Sequence, residues 1–192
     1  MTSVITKSYS PPPVDRREIM RYASVREEIP QLEALLDECL AELSCLSYKV
    51  CYCFVPTEML DAASDDLERH LKGCEEAVVF AATVGIELDR LISRYAVLSP
   101  TKSLLFQAIG AERIESLCNE FQKELSEGGV RLTSRFSPGY GDLGLQYQSR
   151  IFALLDCPRR IGLTVNQSLI MSPSKSVTAI VGIKKSKGSD LK

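Results

Sequence analysis

Apolar positions along this chain change period several times, and each change marks the edge of an expected element. Met1 to Val14, with the run Pro11-Pro12-Pro13, reads as an extended arm. Asp15 is placed to cap a short helix over Arg16–Ala23. Leu32, Leu35, Leu36, Cys39, Leu40 and Leu43 then recur at helical spacing, which predicts a helix over Arg26–Ser47 with Pro30 in its first turn. Tyr48–Val55 is rich in strand formers, and Thr57 is placed to cap a helix to Lys72 that carries Leu60, Ala63, Leu67 and Leu71 on one face and ends at Gly73. Glu75–Thr83 holds the uninterrupted apolar run Ala77-Val78-Val79-Phe80-Ala81-Ala82, the pattern of a strand buried on both faces.

After a turn at Thr83–Gly85, helices are expected over Ile86–Val97 and from Pro100 to Ser126, the second loosened at Gly110 and ended by Gly128-Gly129. A strand at Val130–Thr133, a helix at Leu145–Leu155 stopped by Cys157-Pro158, and strands at Leu163–Val165, Ser168–Met171 and Val177–Ile183 complete the pattern. Ser172-Pro173-Ser174-Lys175 reads as a hairpin loop joining the last two strands. Helices and strands mix without a regular βαβ alternation. The expected class is therefore α+β, a mainly antiparallel twisted sheet flanked by helices, with no internal repeat.

Composition narrows the picture. The 192 residues suffice for an arm over 1–14, one domain over 15–183 and a polar, lysine-rich tail over 184–192. Twenty-three basic against 25 acidic side chains leave a formal charge of −2, and neither half carries a dominant basic patch, so nucleic acid is not an expected partner. No apolar run reaches the roughly 18 residues a membrane span needs, and Met1–Ser10 lacks a signal peptide's apolar core, so a cytoplasmic protein is expected. Seven cysteines, an odd number, argue against a disulfide framework. Cys51 and Cys53 would share a strand face as the start of a metal site, but zinc wants a second such pair or nearby histidines, and the chain has one histidine. Reduced cysteines acting as small apolar residues account for them.

That histidine, in Glu68-Arg69-His70-Leu71-Lys72-Gly73, follows a glutamate where the Asp-x-His-x-x-Gly pattern that offers an imidazole to cobalt has an aspartate. At a helix C-terminus, however, a histidine favours the dipole and a glycine caps the end, and no more is needed to explain it. Thr83-Val84-Gly85 lies far short of a phosphate-binding fingerprint, and the acidic positions Asp61, Asp65, Asp66 and Glu68 read as a solvated helix face. No Gly-x-Ser-x-Gly elbow is present, which counts against histidine-assisted hydrolysis.

The stretch with the most chemistry is Ser134-Arg135-Phe136-Ser137-Pro138-Gly139-Tyr140. Arg135 offers a fork of donors suited to a carboxylate, Pro138-Gly139 bends the chain, and Gly139 lets a ligand approach the backbone. Tyr140 adds a flat ring with one hydroxyl. Such a turn suits a small zwitterion, although most Pro-Gly turns are only turns.

Two blocks taken together resemble a known family. Arg135 to Tyr140 looks like the Arg-x-x-x-Gly-Tyr motif of the activation (reactivation) domain of cobalamin-dependent methionine synthase. Gly162 to Pro173, closing on Ser176-Val177-Thr178-Ala179, is similar to that domain's C-terminal strands, and Leu71-Lys72-Gly73-Cys74 and Ala81-Ala82-Thr83-Val84-Gly85 look like its stand-alone branch. The resemblance spans about residues 10–183. It implies binding of S-adenosylmethionine (AdoMet) by Arg135, Ser137, Gly139 and Tyr140, with Glu115 as the family's helix glutamate. Read from the residues alone, Glu115 is equally an exposed helix carboxylate. The implied activity is reductive methylation of cob(II)alamin to methylcobalamin, with the cobalamin carried by a separate corrinoid-binding methionine synthase subunit and the electron supplied by flavodoxin or another donor. Another corrinoid methyltransferase as client, or a docking factor without catalysis, are the alternatives. The family's N-terminal ligand aspartate falls near Arg21-Tyr22-Ala23-Ser24, where Ser24 brings no charge, and the fused enzyme's further tyrosine has no counterpart where this chain runs into Lys184-Lys185.

Overall fold

The computed structural model describes residues 3–27, 29–60, 64–127 and 129–184. A five-stranded antiparallel sheet runs through the centre in the order β1 (Ile5–Tyr9), β2 (Tyr48–Pro56), β3 (Cys74–Thr83), β7 (Ser176–Lys184) and β4 (Arg131–Leu132). Alternation along the three long strands sends Val50, Val78, Phe80, Ala82, Ala179 and Val181 to one core, and Cys51, Cys53, Val55, Ala77, Val79, Ala81 and Ile180 to another. The uninterrupted apolar run of β3 follows from this, because both of its faces are covered.

The first core packs under α1 (Arg16–Tyr22), α2 (Pro30–Ala41), α4 (Glu87–Leu98) and α5 (Pro100–Leu125). The second packs under α3 (Asp65–His70), α6 (Tyr147–Leu155) and α7 (Cys157–Ile161), beside a two-stranded ribbon of β5 (Thr164–Val165) and β6 (Met171–Ser172). The architecture is the expected α+β class. No helix among the described residues is long and apolar enough to cross a membrane. All seven cysteines are unbridged, with the Cys51 and Cys157 sulfurs 4.0 Å apart inside the second core.

Several boundaries differ from expectation for identifiable reasons. The N-terminal segment lies along the sheet edge as β1. The second helix starts at Pro30 itself, not at Arg26, because a proline in the first turn has no intrahelical N–H bond to lose. The helix expected over Thr57–Lys72 is instead a single 3₁₀ turn at Thr57–Met59 followed by the short α3. Thr57 donates its hydroxyl to the Cys74 carbonyl, and Ser64 caps α3 through the Leu67 N–H. Asp61 and Ala63 lie outside the described residues.

Gly110 does not loosen α5. A side chain there would meet Leu88 Cδ2 at 2.6 Å and Lys175 Cγ at 2.8 Å, so glycine is the residue of close packing. The expected hairpin between the last two strands is also displaced. β6 pairs back onto β5 through 166–170, while β7 leaves to join β3. After α6, Asp156 takes a left-handed conformation (φ 50°), and Cys157 then begins α7 with Pro158 in its first turn.

Candidate functional site

The stretch around Arg135 sits where the sheet edge is interrupted. Thr133 donates its N–H to Gly182 O at 2.9 Å, and Phe136 exchanges backbone bonds with Ile180. Three residue steps on one strand, 133 to 136, therefore oppose two on β7, 182 to 180. This is a β-bulge of one residue, a device that re-aims side chains. In unbroken alternation Arg135 would share a face with Thr133, on the α3 side. The bulge instead leaves Thr133 beside His70 and Phe136 packed against the second core, and turns Arg135 across to α5.

On α5, Glu115, Asn119 and Gln122 stand at i, i+4 and i+7, one polar strip of an otherwise well-buried helix. Arg135 Nη2 donates to Glu115 Oε2 at 2.5 Å, and Nη1 donates to Asn119 Oδ1 at 3.0 Å and Gln122 Oε1 at 2.6 Å. The pair is partly solvated, the arginine side chain 22% exposed and the glutamate 41%. Three of the five guanidinium N–H groups are taken by the chain's own residues, which leaves two to meet a ligand. Behind them Cys118 is fully buried, and loss of solvent pushes its thiol up to about 12, so it remains protonated and inert.

A cleft of about 370 Å³ opens here, lined by Glu115, Asn119, Gln122, Ser134, Arg135, Ser137, Tyr140 and Val177. That volume lies within the range of small-ligand sites. Asn119 also lines a second cleft of about 570 Å³ bordered by Pro12 to Arg17, Ser116 and Glu120. Tyr140 is 58% exposed, its ring edge-on to Phe136 at 6.2 Å between centroids, and its hydroxyl has no partner among the described residues.

The structure thus brings Arg135, Glu115, Ser137 and Tyr140 to one cleft, and Gly139 supports them from behind. Gly139 takes φ 93°, the left-handed backbone that its turn requires, but its N–H donates to Leu143 O at 2.8 Å. The Ser137 carbonyl likewise accepts the Tyr140 N–H at 3.0 Å. The Gly139 N–H and the Ser137 carbonyl are therefore engaged within the turn, and Ser137 lines the cleft. Ser24 lies past the end of α1 with a left-handed φ of 59°.

Sequence reading missed Asn119, Gln122 and the two ends of α3. The first two carry a readable signal, a polar strip shared with Glu115. The α3 contacts carry none, because they join positions more than sixty residues apart. At its start, Asp142 accepts from Ser64 Oγ at 2.5 Å and from the Asp65 and Asp66 N–H groups, while the Asp142 N–H donates to Asp66 Oδ2. The Ser64 hydroxyl, followed by those N–H groups, holds the Asp142 carboxyl below its ordinary value. At its end, His70 reaches the bulge through Ser134 O.

Among known proteins, no family model matches the chain. No curated protein matches it either. Its fold is similar to the crystal structure of the MetH reactivation domain bound to AdoHcy, with a TM-score of 0.66 and 15% identity, covering 94% of this chain and 78% of that one. At such identity the likeness is one of fold.

Proposed function

We propose that this protein binds AdoMet in the Arg135 cleft and serves in the reductive methylation of a corrinoid carried by a partner methionine synthase subunit, with the electron supplied by a flavodoxin-like or other donor. The observation that carries the reading is the Arg135–Glu115 pair, standing in a cleft with a tyrosine hydroxyl that has no partner among the described residues. A guanidinium and a carboxylate side by side are the complement of an α-amino-acid zwitterion. The ligand carboxylate takes the open donors of Arg135, and Glu115 turns toward the ligand's ammonium or sulfonium. The second cleft, which shares the Asn119 side chain with the first, offers space for the nucleoside. A fold shared with a reactivation domain that binds AdoHcy agrees with this use. The partner's corrin supplies the metal centre that accepts the methyl group. This chain's residues do no acid–base chemistry; they hold and orient AdoMet and leave its methyl exposed beside Tyr140.

The test is calorimetric titration with AdoHcy and AdoMet, then an anaerobic absorbance assay with a Co(II)-loaded methionine synthase lacking its activation domain, a reductant and AdoMet. Arg135→Ala removes charge-assisted hydrogen bonds of about 1.5–3 kcal/mol, so affinity falls roughly 10- to 100-fold and methylcobalamin formation fails. Unchanged binding by Arg135→Ala would remove the proposed site. One observation favours a second reading, a docking factor without catalysis: Glu115, Asn119 and Gln122 already hold the arginine fork. Under that reading the proteins co-elute, AdoMet does not bind, and no methylcobalamin forms.

A further inference from the structure

Next to the bulge that aims Arg135, Ser134 O belongs to the edge strand of the sheet and has no strand partner, yet it is not left bare. His70 Nε2 lies 2.8 Å from it, and Thr133 Oγ1 donates to it at 3.0 Å. A carbonyl oxygen only accepts, so Nε2 must carry the proton. Thr133 Oγ1, 2.9 Å from Nε2, also accepts the Gly182 N–H at 2.9 Å, which ties the same hydroxyl to β7. The imidazole packs at a tilt of 39° against the ring of Phe136, the residue where strand pairing resumes, with 5.0 Å between centroids. His70 therefore touches both sides of the bulge, Thr133 and Ser134 before Arg135 and Phe136 after it.

We propose that His70 is a positioning residue for ligand binding at Arg135. It acts through the Ser134 carbonyl, whose peptide plane sets the direction in which Arg135 leaves the backbone. The proposal rests on the AdoMet reading for its ligand and on the bulge for its geometry. The other end of the same helix holds the loop beyond the turn through Asp142, so α3 grips the ligand-bearing segment on both sides of Tyr140. This role differs from cobalt ligation, because the ring nitrogen nearest the site is occupied by backbone. It differs from a helix-end charge effect too, because the partner lies on another segment.

The experiment compares wild type, His70→Ala and His70→Gln, the last placing an amide N–H near the position of Nε2. Two readouts are taken: amide hydrogen exchange over 134–140 against β3 as internal control, and AdoHcy affinity by calorimetry. His70→Ala is expected to speed exchange at Phe136 and Tyr140 and to weaken AdoHcy roughly tenfold or more, the scale of effect that follows small misplacement of a binding group. His70→Gln should restore both, with β3 exchange unchanged in all three proteins. Unchanged exchange in His70→Ala would overturn the proposal, and so would faster exchange with undiminished AdoHcy affinity. Should wild type bind no AdoHcy, the proposed function falls, and exchange over 134–140 still decides whether His70 holds the bulge.

Discussion

Arg135 shows what residue type conveys and what it does not. A fork of donors beside a Pro-Gly turn marks an acceptor site, but the face on which the fork stands depends on the bulge, one extra residue between Thr133 and Phe136. Glu115 was identifiable as a helix carboxylate, and its contact with Arg135 was not, because the two are twenty residues apart and meet only through the fold. Glu115→Gln provides a sharp test of its role. Only AdoMet carries a sulfonium charge, so the substitution should weaken AdoMet more than AdoHcy in parallel titrations; an equal loss would confine Glu115 to orienting Arg135. Thermal stability should change little, since a partly solvated ion pair contributes about 0–1 kcal/mol.

Among the elements, α3 departs furthest from its expected form. Thr57 to Lys72 reads as one amphipathic helix, but Ser64 is extended and begins a new, six-residue helix. So short a helix has little stability of its own. Its place comes from Asp142 at one end and His70 at the other, contacts that no local pattern records. The Asp142 carboxyl is depressed in the folded state, so it adds stability above its unfolded value of roughly 3.9 and loses it as pH falls through the lower folded value. Urea unfolding should therefore show Asp142→Asn less stable than wild type at neutral pH, with the two converging in acid. A gap that persists below the folded value would show that shape rather than charge matters there. The ribbon of β5 and β6 teaches a similar lesson: strand-forming residues were legible, and their partners were not.

At the scale of the molecule, the N-terminal segment is bound to α5 by a buried pair. Arg113 and Glu112, 1% and 2% exposed, bond each other, and Arg113 also donates to Pro12 O and Pro13 O at 2.6 Å while Glu112 accepts from the Asp15 N–H. Arg113→Met would strand the Glu112 carboxylate and two carbonyls, a loss of about 3–5 kcal/mol that equilibrium urea unfolding would register. An effect below about 1 kcal/mol would mean that the segment carries little of the fold. By itself, the sequence determined the class of the fold, most of its helices and strands, the double-sided burial of β3 and the residue types of the cleft. All of these follow from periodicity and side-chain chemistry, which are local. Tertiary structure alone decided that Arg135 faces α5, that Gly139 bonds its own turn, that β6 pairs with β5 and that His70 meets Ser134. Each of those depends on register and on contacts between distant segments, for which the order of residues along the chain carries no period.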